Sequence, residues 1–164
     1  MLALQILISQ ISGTMVMFGL VCILSLILYT RNNKKDAYGI LFSSFLAVSI
    51  TTTLKYLLMV PRPLNMLVSE TDPRFPSGHA TMAAVIMTLV IYYSGKHIEN
   101  RYYRYFLYGI GVAWFIIVSY SRLYLHVHYP IDVVVGGIIG VSSTLVTIYI
   151  LNNQKITRFF MKNS

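Results

Sequence analysis

A histidine that follows serine and glycine at the mouth of an apolar segment could perform proton transfer on a bound anion. The stretch Pro76-Ser77-Gly78-His79 stands directly ahead of such a segment. Where a helix begins, the first backbone N–H groups lack helical partners, so they and the helix dipole favour an anion. Gly78 lets the backbone approach that anion closely, whereas Ser77 on its own would be explained as a helix cap. His79 would then lie beside the bound group, able to give or take a proton near neutral pH.

A second group with chemical potential comprises Arg122, His128 and Asp132. Pro130 is well suited to the first turn of a helix, which places Asp132 in that turn and His128 just before it. The Asp132 carboxylate can accept a hydrogen bond from one imidazole nitrogen and leave the other basic and directed at a substrate. Alternatively, Asp132 only stabilises the helix start through the dipole. His126 has no such partner and is interpreted as a loop residue.

Cationic side chains form the third part of the pattern. Lys55 and Arg62 are seven residues apart, which is about two helical turns, so both should point the same way. Pro61 and Pro63 flank Arg62 and stiffen the exit of that helix. Arg is suited to bidentate binding of a tetrahedral oxyanion, and Lys supplies a point charge. Taken alone, the pair is explained equally well as two cations that extend to a membrane interface.

The elements that must position these residues are apolar helices. The chain of 164 residues is 56% hydrophobic and only 11% charged, and this fraction of charged residues is far below that of a typical soluble domain. Its apolar residues fall in long blocks without strand-like alternation, which predicts an all-α, polytopic membrane bundle formed by a single domain over residues 1–164. About five spans are expected, namely Leu2–Thr30, Gly39–Val60, His79–Ser94, Tyr105–Tyr120 and Ile131–Leu151.

The first block leaves two alternatives open. It is either one long span or a short interfacial piece followed by a span that begins at about Ser12. Its cysteine, Cys22, is the only one in the chain and has no intrachain disulfide partner. In the last span, Gly136 and Gly140 form a pair of small residues, for which close packing inside the bundle is favoured over a dimer seam. The oligomeric state stays open.

The distribution of Lys and Arg predicts an orientation in the cell membrane. Most of the cations lie between spans one and two, between spans three and four, or after span five, which should be the cytoplasmic side: Arg31, Lys34, Lys35, Lys96, Arg101, Arg104, Lys155, Arg158 and Lys162. The N-terminus is then outside and the C-terminus inside. This pattern explains the net charge of +8 without nucleic acid. The remaining cations, Lys55, Arg62, Arg74 and Arg122, share the outer side with His79, His126 and His128, whereas His97 is expected on the cytoplasmic surface.

The three outer stretches resemble the tripartite signature of the type 2 phosphatidic acid phosphatase superfamily. That signature is Lys, six residues, Arg-Pro; then Pro-Ser-Gly-His; then Ser-Arg, five residues, His, three residues, Asp. Every fixed position is present, in the segments Lys55 to Pro63, Pro76 to His79, and Ser121 to Asp132. Together they span nearly half of the chain.

The resemblance implies a metal-independent phosphatase without cofactors. By analogy with the family, His128 is the nucleophile that forms a phosphohistidine, His79 is the general acid, and Asp132 orients the nucleophile. The resemblance further implies that the phosphoryl oxygens are held by Lys55, Arg62, Ser77, Gly78 and Arg122. The residues themselves agree on the absence of metal. Only Glu70, Asp72 and Asp132 are carboxylates on the outer side, too few for paired metal ions.

The expected reaction is hydrolysis of a lipid phosphate or diphosphate at the outer membrane surface. The connection from Leu64 to Phe75 is too short to form a capping domain, and an open mouth suits a lipid whose tail stays in the bilayer. By family analogy, a polyprenyl diphosphate is the first expectation, and phosphatidic acid or phosphatidylglycerol phosphate is the alternative. A non-enzymatic phospholipid binder or transporter would lack a nucleophile. A vanadate-dependent haloperoxidase shares this anion pocket but is soluble.

Overall fold

The computed structural model describes residues 1–153 and arranges them in six α-helices, with no strand in that range. The expected all-α fold is therefore confirmed. Lys155, Arg158 and Lys162, which entered the charge pattern, lie outside the described residues. The helices are α1 (Leu2–Ile11), α2 (Thr14–Thr30), α3 (Lys34–Leu58), α4 (Gly78–His97), α5 (Arg101–Tyr124) and α6 (Pro130–Asn152).

The helices α3 to α6 are each long and apolar enough to cross a membrane. The first apolar block is divided at Ser12 and Gly13, where α1 and α2 meet at a bend of 44°. Counting that bent pair as one span gives five, the expected number. The break lies close to Ser12, where the second alternative for this block begins its span. The chain is thus a multi-pass membrane protein.

Local chemistry explains where several helices begin and end. At the start of α4, the Ser77 hydroxyl accepts a hydrogen bond from the Ala80 N–H, so this serine caps the helix. The Asn100 side chain accepts one from the Tyr102 N–H at the start of α5. Pro130 occupies the first turn of α6, as predicted. At the other end of a helix, α3 stops at Leu58 because Met59 adopts a left-handed conformation (φ 48°).

The helix α4 lies at the centre of the bundle and packs against α3, α5 and α6. Its contact with α6 depends on glycine. A Cβ atom built on Gly136 would lie 2.6 Å from the Ser77 carbonyl oxygen, and one on Gly140 would overlap the Thr81 carbonyl oxygen. Close packing within the bundle, the favoured interpretation of this pair, is confirmed.

The end of the bundle where α3 and α5 begin and α2 and α4 end has its own polar cluster. It carries the described basic residues that the charge pattern assigns to the cytoplasmic side. Lys96 Nζ lies 2.9 Å from Asp36 Oδ1, and His97 Nε2 lies 3.5 Å from Asp36 Oδ2. Lys35 donates a hydrogen bond to the Asn152 side chain at the same end. His97 is half-exposed but is not simply solvated surface, because its ring also stacks on Tyr93.

Candidate active site

All of the predicted site residues meet at the opposite end of the bundle. Lys55 lies in the last turn of α3, Gly78 and His79 begin α4, Arg122 lies in the last turn of α5, and Asp132 lies in the first turn of α6. Two connections complete the region. Residues 59–77 carry Arg62 and Ser77, and residues 125–129 carry His128.

A cavity of about 420 Å³ lies among these helix ends. Its wall includes Lys55, Arg62, Gly78, His79 and His128, so the two histidines line one space. The remaining predicted residues, Ser77, Arg122 and Asp132, are fully buried and contact or adjoin residues of the wall. The cavity continues between α2 and α3, where its lining is apolar or neutral and comprises Met15, Val16, Val48, Thr52 and Tyr56.

His128 faces Asp132 as the sequence predicted. Nδ1 of His128 lies 3.4 Å from Oδ2 of Asp132, which is longer than a well-formed hydrogen bond. The same Oδ2 accepts a hydrogen bond of 2.7 Å from the Tyr129 N–H, an arrangement that also secures the start of α6. Because Nδ1 is directed at the carboxylate, Nε2 is the imidazole nitrogen left for a ligand.

The charge state of His128 suits a nucleophile. Burial lowers the pKa of its imidazole to about 4, and the cations Arg122, Arg62 and Lys55 act in the same direction, while Asp132 opposes them. The imidazole is therefore neutral at neutral pH, and a neutral nitrogen has the lone pair that attack on an electrophile requires.

Arg62 reaches the site by a different route from the predicted one. The seven-residue spacing predicts Lys55 and Arg62 on one helical face, but α3 ends at Leu58 and Arg62 lies in the connection that follows. The two side chains still converge, because both bind Asp72. Lys55 Nζ lies 2.7 Å from Oδ2 of Asp72, and Arg62 Nη2 lies 2.5 Å from Oδ1. Arg62 Nη1 also donates to the Val127 carbonyl.

Two carboxylates that received no role from the sequence lie in the centre of this cluster. Asp72 pairs with Lys55 and Arg62 as described, and Glu70 Oε1 lies 2.5 Å from Nη2 of Arg122. Burial raises the pKa of the Asp72 carboxyl, but Lys55 and Arg62 outweigh that effect and hold the pKa below its usual range. Asp72 is therefore ionised at neutral pH.

Arg74 is a further site residue that sequence reasoning did not assign. Its Nε lies 3.5 Å from Oδ2 of Asp132, and its guanidinium stacks over the Tyr129 ring at 4.4 Å. Asp132 thus faces His128 on one side and Arg74 on the other. The available signal was the outer position of Arg74 among the cations that departed from the charge pattern. His126 is outside the cavity wall and has a left-handed backbone (φ 55°).

Residues 1–153 contain no candidate metal site, because no group of three or more His, Cys, Asp or Glu side chains in that range is arranged to hold an ion. The arrangement provides instead cationic donors, a neutral imidazole with a buried carboxylate behind it, and a second imidazole. Such a set can bind a tetrahedral anion, attack its central atom and transfer a proton.

Comparison with known proteins agrees with this geometry. The family model of the PAP2 superfamily matches residues 36–156. The chain is 27% identical over 123 residues to an undecaprenyl-diphosphatase of Sulfolobus acidocaldarius, covering 71% of this chain and 55% of that protein. It is 32% identical over 99 residues to phosphatidylglycerophosphatase B of Bacillus subtilis, covering 58% of this chain and 47% of that protein. The chain therefore spans about half the length of these relatives.

Two solved structures have the same fold. The transmembrane PAP2-type phosphatidylglycerolphosphate phosphatase of Bacillus subtilis superposes with a TM-score of 0.77 at 23% identity, covering 90% of this chain and 75% of that one. Aquifex aeolicus LpxE gives a TM-score of 0.71 at 23% identity, covering 90% and 85%. With the family match over residues 36–156 and the signature residues gathered at one cavity, the chain belongs to the PAP2 superfamily.

Proposed function

We propose that this protein hydrolyses a lipid phosphate or diphosphate without a metal ion, through a phosphohistidine intermediate. The observation that carries the proposal is the placement of His128, backed by Asp132, in the wall of a cavity that Lys55 and Arg62 also line. Such a wall attracts a phosphoryl group and presents a nucleophile to it.

The reaction divides into two balanced steps. Nε2 of His128 attacks phosphorus, the N–P bond forms, and the bond to the leaving oxygen breaks while His79 gives that oxygen a proton. A water molecule then attacks the phosphohistidine, His79 takes the proton of that water, and inorganic phosphate leaves with His128 restored. Asp132 orients the imidazole and stabilises the charge that it gains in the first step.

The oxygen atoms of the phosphoryl group would be held by cations and by the start of α4. Lys55, Arg62 and Arg122 neutralise charge on the transferring group. The first N–H groups of α4, which begins at Gly78 behind the Ser77 cap, add donors without positive side chains. Arg122 is paired with Glu70, so its contribution requires that pair to open.

A lipid is the substrate class that the cavity favours. The polar part ends at His128 and Lys55, while the part between α2 and α3 is lined by apolar and neutral residues such as Val16 and Val48. A phosphate with an apolar tail matches both parts. We propose a polyprenyl diphosphate, converted to the monophosphate and inorganic phosphate, because the relative from Sulfolobus acidocaldarius is named for such a substrate.

Phosphatidylglycerol phosphate or phosphatidic acid is the alternative substrate, since another relative is a phosphatidylglycerophosphatase.

The proposed orientation in the cell membrane puts the site outside and the C-terminus inside. It is supported by the cations Arg31, Lys34, Lys96 and Arg101, which lie at the ends of helices remote from the cavity.

The decisive experiment measures phosphate release from polyprenyl diphosphates, phosphatidic acid and phosphatidylglycerol phosphate in one detergent. We expect the polyprenyl diphosphate to have the highest kcat/KM. The His128→Ala variant should lose turnover by at least about 10³-fold while inorganic phosphate still protects it from thermal unfolding. Phosphate release that persists in His128→Ala would contradict the nucleophile and favour a non-enzymatic binder contaminated by another phosphatase.

A further inference from the structure

The N-terminal helix α1 contacts two residues of the proposed phosphatase site through a single serine. The hydroxyl of Ser9 accepts a hydrogen bond from Nη1 of Arg122. The backbone carbonyl of Ser9 lies 3.2 Å from Nε2 of His79. These partners are 113 and 70 residues away in sequence, and nothing in the signature that names Arg122 and His79 includes α1.

The position of Ser9 is fixed by other contacts of α1 and of the bend that follows it. The Ser121 hydroxyl donates a 2.9 Å hydrogen bond to the Gln5 carbonyl, one turn before Ser9, and Gln5 is itself buried. After the bend, Thr14 packs closely on Gly78: a Cβ atom built on Gly78 would lie 2.7 Å from Oγ1 of Thr14. The first contact holds α1 against the end of α5, and the second holds the start of α2 against the start of α4.

Ser9 and Glu70 hold the two terminal nitrogens of one guanidinium. Nη1 of Arg122 donates to Ser9, and Nη2 donates to Glu70. If a phosphate takes the place of Glu70, Ser9 remains as the contact that fixes the plane of the guanidinium. That plane decides whether Arg122 presents its donors to the phosphate in the fork geometry.

We infer that Ser9 is a positioning residue of this site, orienting Arg122 through its hydroxyl and the His79 ring through its carbonyl. This inference rests on the proposed function. With Nε2 of His79 bound to the Ser9 carbonyl, Nδ1 is the ring nitrogen left to exchange a proton with the leaving group. The first apolar block therefore contributes to the site and does more than anchor the chain.

The test compares Ser9→Ala with Ser9→Thr, which keeps the hydroxyl. The control is Ser43→Ala, because Ser43 is a buried serine whose hydroxyl bonds within its own helix, to the Gly39 carbonyl, so that its loss removes a serine hydroxyl of the bundle without touching the site. The probes are KM for the most active lipid phosphate of the panel and protection from thermal unfolding by inorganic phosphate. We expect Ser9→Ala to raise KM about tenfold and to raise the phosphate concentration needed for half-maximal protection by about the same factor. For Ser9→Thr and Ser43→Ala, both quantities should stay within about threefold of the parent values.

A double-mutant cycle separates positioning from simple packing. In an Arg122→Lys background, which has lost the fork, Ser9→Ala should change KM by less than about twofold. The inference would be overturned if the increases in KM from Ser9→Ala and Arg122→Lys multiply in the double variant. It would also be overturned if Ser9→Thr is as impaired as Ser9→Ala. Unchanged KM and phosphate protection in Ser9→Ala would overturn it as well.

The phosphate-protection arm also distinguishes this inference from the proposed function. If no lipid phosphate is hydrolysed but phosphate protects the parent and not Ser9→Ala, the proposed reaction fails and the role of Ser9 in holding Arg122 stands. If phosphate release depends on His128 but is indifferent to Ser9→Ala, the reaction stands and the inference fails.

Discussion

Glu70 and Arg122 form an ion pair of 2.5 Å at the candidate site, and the Arg122 side chain is fully buried. Asp72, two residues further along the same connection, pairs with Lys55 and Arg62. Carboxylate oxygens of residues 59–77 therefore occupy donors that the proposed reaction assigns to phosphate. Because a phosphate and a carboxylate compete for the same N–H groups, a substrate that uses these cations must displace both side chains.

The Glu70→Gln variant should bind inorganic phosphate several-fold to about tenfold more tightly than the parent. Removing the charge ends the competition and leaves the buried Arg122 without a counter-ion, which also lowers stability when phosphate is absent. Inhibition by inorganic phosphate and thermal unfolding with and without phosphate measure the two effects. Glu99→Gln, a change of the same kind at an exposed residue of the opposite end, is the control. Weaker phosphate binding in Glu70→Gln would mean that the carboxylate holds Arg122 ready instead of competing.

The pH dependence of kcat/KM should show no loss of the nucleophile near pH 6.5. Burial, reinforced by Arg122, Arg62 and Lys55, holds the pKa of His128 at about 4, so the reactive neutral form is present above that pH and is lost only as pH falls through it. In the Arg62→Gln variant one of the lowering charges is gone, so the acid limb should move to higher pH while kcat/KM falls. Initial rates between pH 3.5 and 8 in one detergent test this. An acid limb at the same pH in parent and variant would contradict the electrostatic explanation.

The His79→Ala variant should lose more activity on a lipid monophosphate than on a diphosphate. Hydrolysis of the monophosphate expels an alkoxide, which needs a proton, whereas hydrolysis of the diphosphate expels a phosphate, which is the better leaving group. General acid catalysis contributes about 10²–10⁴-fold, so the monophosphate rate should fall by that amount and the diphosphate rate by less. The measurement is kcat on two substrates that share a tail. Equal losses on both substrates would remove His79 from the role of proton donor.

EDTA should leave turnover almost unchanged. The proposed mechanism stabilises the transferring phosphoryl group with Lys and Arg, and residues 1–153 offer no cluster of His, Cys, Asp or Glu arranged to hold an ion. Activity is measured after dialysis against EDTA and again after magnesium is added. Complete loss that magnesium restores would contradict the mechanism.

Much of the site could be predicted because its signals are local. Pro130 and Ser77 mark helix starts by rules that act within a few residues, and this placed His128, Asp132 and His79 correctly in their elements. The position of Arg62 was inferred wrongly, because the seven-residue spacing was interpreted as two turns of one helix, whereas the left-handed Met59 ends α3 at Leu58, four residues before Arg62.

Other parts of the site have no local signal. Glu70 and Asp72 lie in a connection without periodicity, so nothing in their neighbourhood shows that they turn back onto Arg122, Lys55 and Arg62. The same holds for Ser9, a common residue in an apolar helix, whose partners lie far along the chain. Contacts of this kind follow from tertiary packing, which spacing rules do not encode.

The glycine contact between α6 and α4 limits which substitutions this bundle can accept beside the candidate site. Gly136 lies one helical turn from Asp132, and a Cβ atom on it would lie 2.6 Å from the carbonyl oxygen of Ser77, the residue that caps α4. A larger residue at this position would push α6 away from α4 and disturb the packing beside the site. If the proposed lipid substrate is right, a different tail would be accommodated by the side chains of α2 and α3 that border the cavity, such as Val16 and Val48. Of the candidate site residues, Asp132 and the Ser77–Gly78 start of α4 lie on the close-packed α4–α6 pair, whereas Lys55 lies on α3, so the helices that border the apolar part of the cavity can vary only where Lys55 keeps its place.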